Sequence, residues 1–208
     1  MSSSSSQTSY KLYYFNAYGR AEVLRFLFHL AEVEYEDVRI EFADWTKTKQ
    51  EMGFKQVPVL EVDGKRLTQS LAITRYLARE FGLYGKDNWE CALIDSFVDN
   101  CQEIIEQAIV IIKTFEPEQR KKEIEKLQAD VPKEFEELEK LVGDNNYFIG
   151  DQITVADLFF YNTVSIVSQF ASNFLQTCPK LEALRSKVEA HPRVADWLQK
   201  RPATSYTG

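Results

Sequence analysis

The sequence predicts an α/β N-terminal domain followed by an all-helical C-terminal domain. Strand and helix patterns alternate over residues 10–82, whereas residues 89–208 show helical spacing only. A short turn-rich segment, residues 83–88, links the two stretches, and a serine-rich flexible tail, residues 1–9, precedes them. With 208 residues, the chain is long enough for two small domains.

The first half opens with a βαβ pattern. Residues 10–15 (YKLYYF) are rich in aromatic side chains, which is typical of a strand. Residues 20–32 repeat apolar side chains at helical spacing, and residues 35–40 predict a second strand. Two strands joined through a helix pair in parallel with a right-handed crossover.

A ββα pattern follows after a connection. Residues 57–62 and 65–67 flank Asp63-Gly64, a pair that suits a type I′ hairpin turn. Residues 70–81 predict a helix, with Ser70 as its candidate N-cap and Gly82 as its stop. The N-terminal half is therefore expected to form a small mixed sheet flanked by helices.

The second half begins with two long helical segments. Residues 89–115 carry apolar side chains at three- and four-residue spacing. Residues 117–143 form another helical segment with Pro132 inside it. Because an internal proline lacks the N–H of the helical ladder, we expect a kink or a break there.

Three further helices are signalled by their first residues. Thr154 and Asp157 resemble a capping box at the start of an apolar helix that extends to residue 170. Pro179 and Pro192 are placed to begin two short final helices, where a missing N–H has no cost. The C-terminal half is thus predicted to be a helical bundle.

Charge and composition exclude several classes of function. Residues 1–82 carry 11 basic and 11 acidic side chains, whereas residues 83–208 carry 14 and 21, so the net charge of −7 resides in the second half. This balance argues against nucleic acid and against an anionic membrane surface as partners. No apolar run approaches the roughly 18 residues of a membrane span. The three cysteines form no CxxC pair, and a cytoplasmic location is expected.

Common catalytic motifs are absent. The chain contains no GxGxxG, P-loop, HExxH or GxSxG sequence. His29 and His191 are the only histidines, and His29 lies in an ordinary helical pattern, so a structural role is favoured for both. Histidine base catalysis and a histidine-rich metal site are therefore disfavoured.

Two candidate features lie near predicted strands. Tyr14 stands near the carboxyl end of the first strand, where ligands of α/β sheets bind, although a tyrosine among aromatic residues is more often a packing residue. Val57-Pro58 precedes a strand, and a cis bond there turns the chain and frees the backbone of Val57 for a ligand. A trans proline at the start of an edge strand is the alternative.

Two further features lie on helices. Gln69-Ser70 begins a helix, whose free N–H groups and positive dipole end suit a carboxylate, although a plain N-cap is commoner. Trp45 and Lys49 are four residues apart, so one helical turn presents an indole N–H and an ammonium together. Two unrelated surface residues give the same spacing.

The order of these features resembles one family. The segments YKLYYFNAYGRAEVLRF, YEDVRIEFADW, VPVLEVDGKRLTQSLAITRYLAREFGLYGK, GDQITVADL and KRPAT are similar to those of cytosolic glutathione transferases, in particular the sigma class. The similarity extends from Tyr10 to about Thr204. It implies a thioredoxin-like N-terminal domain, an all-α C-terminal domain, a homodimer, and glutathione as cosubstrate.

The resemblance also implies roles for individual residues. Tyr14 matches the tyrosine that hydrogen-bonds the glutathione sulfur, and Arg20 matches the arginine beside it; these two are the predicted catalytic residues. The rest of the predicted glutathione site comprises Trp45, Lys49, Gln56, Val57, Pro58, Gln69, Ser70 and Glu103. The nucleophile is then the thiol of glutathione, which agrees with the absence of cysteine from the first 90 residues.

Some positions depart from the sigma-class pattern. Glu103 replaces an aspartate that reaches across the dimer to the γ-glutamyl amine. The metal-linked aspartates of vertebrate prostaglandin-synthesising members are only partly kept, as Asp99, Gln102 and Glu103, so no metal is predicted. The position of a pocket tryptophan in those members falls near Val110 here, and Tyr18 stands where they have the arginine that precedes Gly-Arg. Both changes disfavour prostaglandin synthesis.

The leading hypothesis is conjugation of glutathione thiolate to a small hydrophobic electrophile. The residues expected to line its pocket are Phe15, Tyr18, Ile105, Val110 and Phe159. Isomerisation of prostaglandin H to D or E products is one alternative, and a non-catalytic ligand carrier or lens-crystallin-like protein is another. A glutaredoxin-like oxidoreductase is disfavoured, since it needs a cysteine near residues 14–16.

Overall fold

The computed structural model describes residues 8–204, which divide into two compact units. The first contains residues 8–81 together with 201–204, and the second contains residues 82–200. The predicted tail, residues 1–9, falls almost wholly outside the described residues. Residues 201–204, which the sequence predicts to belong to the helical domain, group with the first unit.

A four-stranded mixed sheet forms the centre of the first unit. Its order is β2-β1-β3-β4, with β1 parallel to β2 and antiparallel to β3, and β3 antiparallel to β4. The strands are β1 (Tyr10–Phe15), β2 (Glu36–Ile40), β3 (Val59–Val62) and β4 (Lys65–Thr68). Asp63 and Gly64 both have positive φ, 48° and 77°, which confirms the predicted hairpin turn.

Three helices accompany the sheet: α1 (Glu22–Ala31), α2 (Trp45–Met52) and α3 (Ser70–Glu80). Two short 3₁₀ turns cover Gly19–Ala21 and Phe42–Asp44. The sequence predicted Ser70 as the N-cap of α3, but Ser70 is the first helical residue. Gln69 takes the cap position because its backbone is non-helical, with φ of 76° and ψ of 112°. Gly82, with φ of 68°, follows the end of α3 as expected.

The second unit is helical. Its elements are α4 (Asn88–Lys113), α5 (Pro117–Leu141), α6 (Val155–Val167), α7 (Pro179–Ala190) and α8 (Pro192–Lys200). Helix α6 is buried along most of its length and packs against α4 and α7. The predicted fold class, a thioredoxin-like α/β unit and an all-helical unit, is confirmed. Of the described helices, none has the length and apolar character needed to cross a bilayer.

Two predicted features of these helices have different outcomes. The capping box of α6 is present, since the Asp157 carboxylate accepts the backbone N–H of Thr154 at 2.7 Å. A break at Pro132 was wrong, because α5 continues through it. The neighbouring side chains Val131 and Phe135 are fully buried, and this packing outweighs the local cost of the proline.

Candidate active site

The register of the sheet brings most of the predicted site residues to one edge. Tyr13, Val59 and Thr68 lie side by side in β1, β3 and β4. Residues after Tyr13 and Thr68, and residues before Val59, therefore reach the same edge of the sheet. These residues include Tyr14, Val57, Pro58, Gln69 and Ser70. Strand β2, parallel to β1, also ends at this edge and leads into α2.

Tyr14 is buried, with 9% of its surface exposed, one residue before the end of β1. Its hydroxyl oxygen accepts the backbone N–H of Arg20 at 3.2 Å. Burial raises the pKa of Tyr14, while the Arg20 N–H and the positive charges of Arg20 and Arg25 oppose that rise. The phenol consequently keeps its proton at neutral pH, and its O–H is available to a ligand.

Gly19 lies against the Tyr14 hydroxyl. Its φ is 45°, and a Cβ at this position would lie 2.7 Å from the hydroxyl oxygen. Both the backbone conformation and the available space therefore require glycine. The segment from Asn16 to Arg20 approaches the phenol closely enough for its backbone to hydrogen-bond it.

The N-terminus of α3 has the properties of a carboxylate site. Ile73 N–H donates to the Gln69 carbonyl at 2.9 Å, so the N–H groups of residues 70–72 precede the first bond of the helical ladder. Together with the helix dipole, these donors favour an anion. Gln69 is exposed and Ser70 is half-buried. The positive φ of Gln69 is an uncommon backbone state for a residue other than glycine.

The segment before β3 contains the only cis peptide bond among residues 8–204, between Val57 and Pro58. This is the form that the family resemblance implies. The paired register of β3 begins at Val59, so Val57 lies beyond the ladder with β1. Gln56 is exposed beside it, whereas Pro58 is buried.

Trp45 and Lys49 lie one turn apart on α2, as predicted. Trp45 is half-buried and contacts Phe15 edge to face, with ring centroids 5.2 Å apart. Phe15 also stacks on Phe42 at 4.3 Å. Phe15, predicted to line the apolar pocket, therefore has much of its ring surface occupied by these two aromatic side chains. Lys49 is exposed.

Four other predicted site residues lie on helices of the second unit. Glu103 and Val110 are exposed on α4, and Val110 retains 46% of its accessible surface. Ile105 and Phe159 are buried, with 1% and 4% exposed. Within this unit a cavity of about 550 Å³ lies between the end of α6 and the start of α7, and none of the predicted site residues lines it.

No group of three or more His, Cys, Asp and Glu side chains within residues 8–204 is arranged to hold a metal ion. The sequence reasoning missed three residues around Tyr14: Gly19, Glu22 and Arg25. Glu22 and Arg25 are charged residues three positions apart in an otherwise apolar helical run, and that spacing was a usable signal of a buried ion pair.

Comparison with known proteins identifies the family. The family model of the glutathione S-transferase N-terminal domain matches residues 10–79, and that of the C-terminal domain matches residues 103–201. Hematopoietic prostaglandin D synthase of Gallus gallus is 42% identical over 200 residues, covering 95% of this chain and 98% of the relative. S-crystallin SL11 of Nototodarus sloanii is 38% identical, with 95% and 99% covered.

A solved structure agrees with these matches. The sigma class GST of Fasciola hepatica superposes with a TM-score of 0.87 at 27% sequence identity, covering 97% of this chain and 100% of that one. One family model covers most of the first unit, and the other covers most of the second. The chain therefore belongs to the glutathione S-transferase family, with sigma-class members among its relatives.

Proposed function

We propose that this protein conjugates glutathione to small hydrophobic electrophiles, and that Tyr14 activates the glutathione thiol. The observation that carries the proposal is the geometry of the Tyr14 hydroxyl. It is buried beside the edge where the strands end, and its oxygen accepts the Arg20 N–H at 3.2 Å. That bond uses a lone pair and leaves the O–H proton for the sulfur of a bound ligand.

The chemical step needs a thiolate. A free thiol has a pKa of about 8.5, so only a few per cent is ionised at neutral pH. A phenol donor aimed at the sulfur favours the anion, and lowering the thiol pKa by roughly two units corresponds to about 2.7 kcal/mol. Because burial raises the pKa of Tyr14, the phenol itself remains a donor while the thiol ionises.

Both ends of glutathione have a proposed partner at the same edge of the sheet. The γ-glutamyl carboxylate is assigned to Gln69 and Ser70 at the N-terminus of α3, where the helix dipole favours negative charge. The glycine carboxylate is assigned to Trp45 and Lys49 on α2. The cis Val57-Pro58 turn presents its backbone to the cysteinyl residue of the tripeptide.

The experiment that tests this assignment is the Tyr14→Phe variant. We expect turnover with a chloronitrobenzene to fall by about 10²-fold, the loss typical of one preorganised donor. Affinity for glutathione should change little, because the tripeptide is held mainly at its ends. Tyr13→Phe, on the adjacent position of β1, is the matched control and should retain wild-type turnover. Wild-type turnover in Tyr14→Phe would refute the role of Tyr14.

Prostaglandin isomerisation is a second candidate, favoured by the 42% identity to a prostaglandin D synthase. It uses the same activated thiol, so the proposed site supports it as well. Tyr18 and Val110, at positions where prostaglandin-synthesising relatives are expected to carry arginine and tryptophan, argue against it. Product analysis after incubation with prostaglandin H and glutathione decides the matter, and products at the uncatalysed level would exclude this activity.

A non-catalytic role is represented among the relatives by an S-crystallin that is 38% identical. The buried Tyr14 hydroxyl and the glutathione-binding edge favour catalysis over such a role. Retention on immobilised glutathione, combined with the conjugation assay, separates the two. Retention without turnover would support the crystallin-like role and contradict conjugation.

The protein is further proposed to act as a cytoplasmic homodimer. Three unpaired thiols, Cys91, Cys101 and Cys178, suit a reducing compartment. Trp89 and Leu93 expose 71% and 39% of their surfaces one turn apart on α4, an apolar patch suited to a second copy.

Exposed Glu103 is proposed to reach the γ-glutamyl amine bound to the partner copy. Light scattering on the purified protein tests the dimer, and a monomer mass at all concentrations would exclude it. Glu103→Gln should weaken glutathione binding in the dimer, and unchanged affinity would remove Glu103 from the site.

A further inference from the structure

The segment that hydrogen-bonds Tyr14 is held from the C-terminal end of the chain. Arg201, grouped with the first unit, places its guanidinium over the Tyr18 ring at 4.0 Å. The Tyr18 hydroxyl donates to the Pro202 carbonyl at 3.3 Å. Tyr18 is thus contacted on its ring and at its hydroxyl by two consecutive residues.

Arg201 also closes a row of charges of alternating sign. It donates to Glu22 at 3.0 Å, and Glu22 accepts from Arg25 at 3.1 Å. Arg25 in turn donates through Nε to Asp37 at 3.2 Å. The Glu22 and Arg25 side chains are 1% and 0% exposed, so each depends on its partners for compensation of its charge.

This row of charges continues to the backbone beside Tyr14. The Arg25 guanidinium donates to the Ala17 carbonyl at 2.8 Å, one residue before Tyr18. Residues 16–20 are therefore fixed at Ala17 by Arg25 and at Tyr18 by Arg201. Two residues after Tyr18, Arg20 supplies the N–H that reaches the Tyr14 oxygen at 3.2 Å.

We propose that Arg201 is a positioning residue of the active site, acting through Tyr18 and Glu22 to hold the Arg20 N–H on the Tyr14 hydroxyl. The inference rests on the proposed function of Tyr14. A phenol that accepts a hydrogen bond is a better donor to the sulfur, because hydrogen bonds in a chain polarise one another. If the segment moves, the phenol loses that bond and the thiol of bound glutathione becomes less acidic.

The test compares Arg201→Ala, Arg201→Lys and the control Lys200→Gln. Arg201 is only 20% exposed, whereas Lys200 pairs with Asp196 on an exposed surface, with 67% of its side chain accessible. The readout is the pKa of the thiol in bound glutathione, followed by thiolate absorbance in a pH titration. Turnover and glutathione affinity are measured on the same samples.

For Arg201→Ala we expect the thiol pKa to rise and turnover at neutral pH to fall by roughly tenfold, well short of the ~10²-fold loss of a whole donor. Glutathione affinity should be retained. Arg201→Lys keeps the charge beside Glu22 but not the planar stacking on Tyr18, so partial recovery is expected. Lys200→Gln should match the wild type in all three measurements.

The outcomes separate the two proposals. A wild-type titration that shows no acidification of the bound thiol overturns the role of Tyr14 and this inference with it. Acidification in the wild type that is unchanged in Arg201→Ala overturns the inference alone. Lower thermal stability in Arg201→Ala with an unshifted thiol pKa assigns Arg201 a purely structural role and also overturns it.

Discussion

Space around the Tyr14 hydroxyl is limited by a single backbone position. Gly19 adopts a φ of 45°, and the hydroxyl oxygen lies where a side chain would begin, 2.7 Å from an ideal Cβ. Gly64 provides the contrast, because its φ is 77° but nothing lies within 4 Å of its Cβ position. Replacing either glycine by a larger residue therefore strains the backbone, but only a side chain at position 19 would collide with Tyr14.

We predict that Gly19→Ala lowers turnover at least tenfold, whereas Gly64→Ala leaves turnover unchanged. Each substitution should destabilise the fold by about 1 kcal/mol or more, since alanine is strained at positive φ. Only the first also displaces the phenol. Conjugation kinetics and thermal unfolding of the pair measure both effects. Equal turnover in the two variants would show that the position of Tyr14 tolerates the added methyl group.

At the residue scale, the sequence singles out Tyr14 as a candidate but not the residues that surround it. Tyr14 was found because it stands near the end of a strand and at a recognisable family motif. The importance of Gly19 depends on a φ angle and on a contact five residues back, neither of which leaves a periodic pattern. Arg25 was read as one position of a helix, and its partners Asp37 and Ala17 lie on other elements.

At the element scale, α6 begins with a buried acid. Asp157 accepts the backbone N–H of Phe148 at 2.7 Å, the N–H of Thr154 at 2.7 Å and the hydroxyl of Thr154 at 2.8 Å. Burial nevertheless raises its pKa from 3.8 to about 6, and these hydrogen bonds only partly oppose the rise. The folded protein therefore binds the Asp157 proton more tightly than the unfolded chain does.

The pH dependence of stability follows from this sign. The stabilising contribution of Asp157 is fully present below about pH 4 and is lost as the pH rises through about 6. Asp157→Asn has no such titration and places an amide donor opposite the donors of Thr154. We predict a variant less stable by roughly 1–3 kcal/mol at pH 7 and less stable still, relative to wild type, at pH 4.

Denaturant unfolding of Asp157→Asn and the wild type between pH 4 and pH 7 measures the difference directly. Asp144→Asn is the control, since the Asp144 side chain is 95% exposed and pairs with Lys180. The free energy of unfolding of Asp144→Asn should stay close to that of the wild type from pH 4 to pH 7. A difference for Asp157→Asn that stays constant with pH would mean that folding does not raise the pKa of Asp157.

The predicted helices were accurate where a local sequence signal marks the first residues of the helix. The capping box of α6 and the proline-led starts of α7 and α8 lie where the sequence placed them. The N-cap predicted at Ser70 and the break that was one of two outcomes predicted at Pro132 were wrong for different reasons. The cap moved one residue because Gln69 adopts an unusual backbone state, and α5 continued because tertiary packing overrides the intrinsic cost of one proline.

At the scale of the whole molecule, the contact between Arg201 and Glu22 could not be predicted from the hydrophobic periodicity of the sequence. Residues 201–204 carry no strand or helix pattern, yet they group with the first unit. The information lies in side chains far apart in sequence, since Arg201 and Glu22 are separated by 179 positions. A salt bridge over such a separation is specified by the completed fold and not by any local segment.

Ligand binding should in turn stabilise the whole molecule, because glutathione is held by elements that exist only in the folded state. The register of β1, β3 and β4 assembles the edge to which we assign glutathione, and this edge does not exist in an unfolded chain. At a ligand concentration 100 times the dissociation constant, the gain in unfolding free energy is about 2.7 kcal/mol. S-methylglutathione should give a comparable gain at the same multiple of its own dissociation constant, since both carboxylates remain and only the thiol hydrogen is replaced, by a methyl group.

Ser70→Ala removes one hydroxyl from the site assigned to the γ-glutamyl carboxylate. A hydrogen bond to a charged group contributes about 1.5–3 kcal/mol, so we predict at least a tenfold weaker affinity and a correspondingly smaller stabilisation at the same ligand concentration. Ser186→Ala, at an exposed position of α7, should behave as wild type. Thermal unfolding of the wild type and of both variants at several ligand concentrations measures the stabilisation. Equal stabilisation of Ser70→Ala and the wild type would place the carboxylate elsewhere, while leaving the role of Tyr14 to be judged by its own variant.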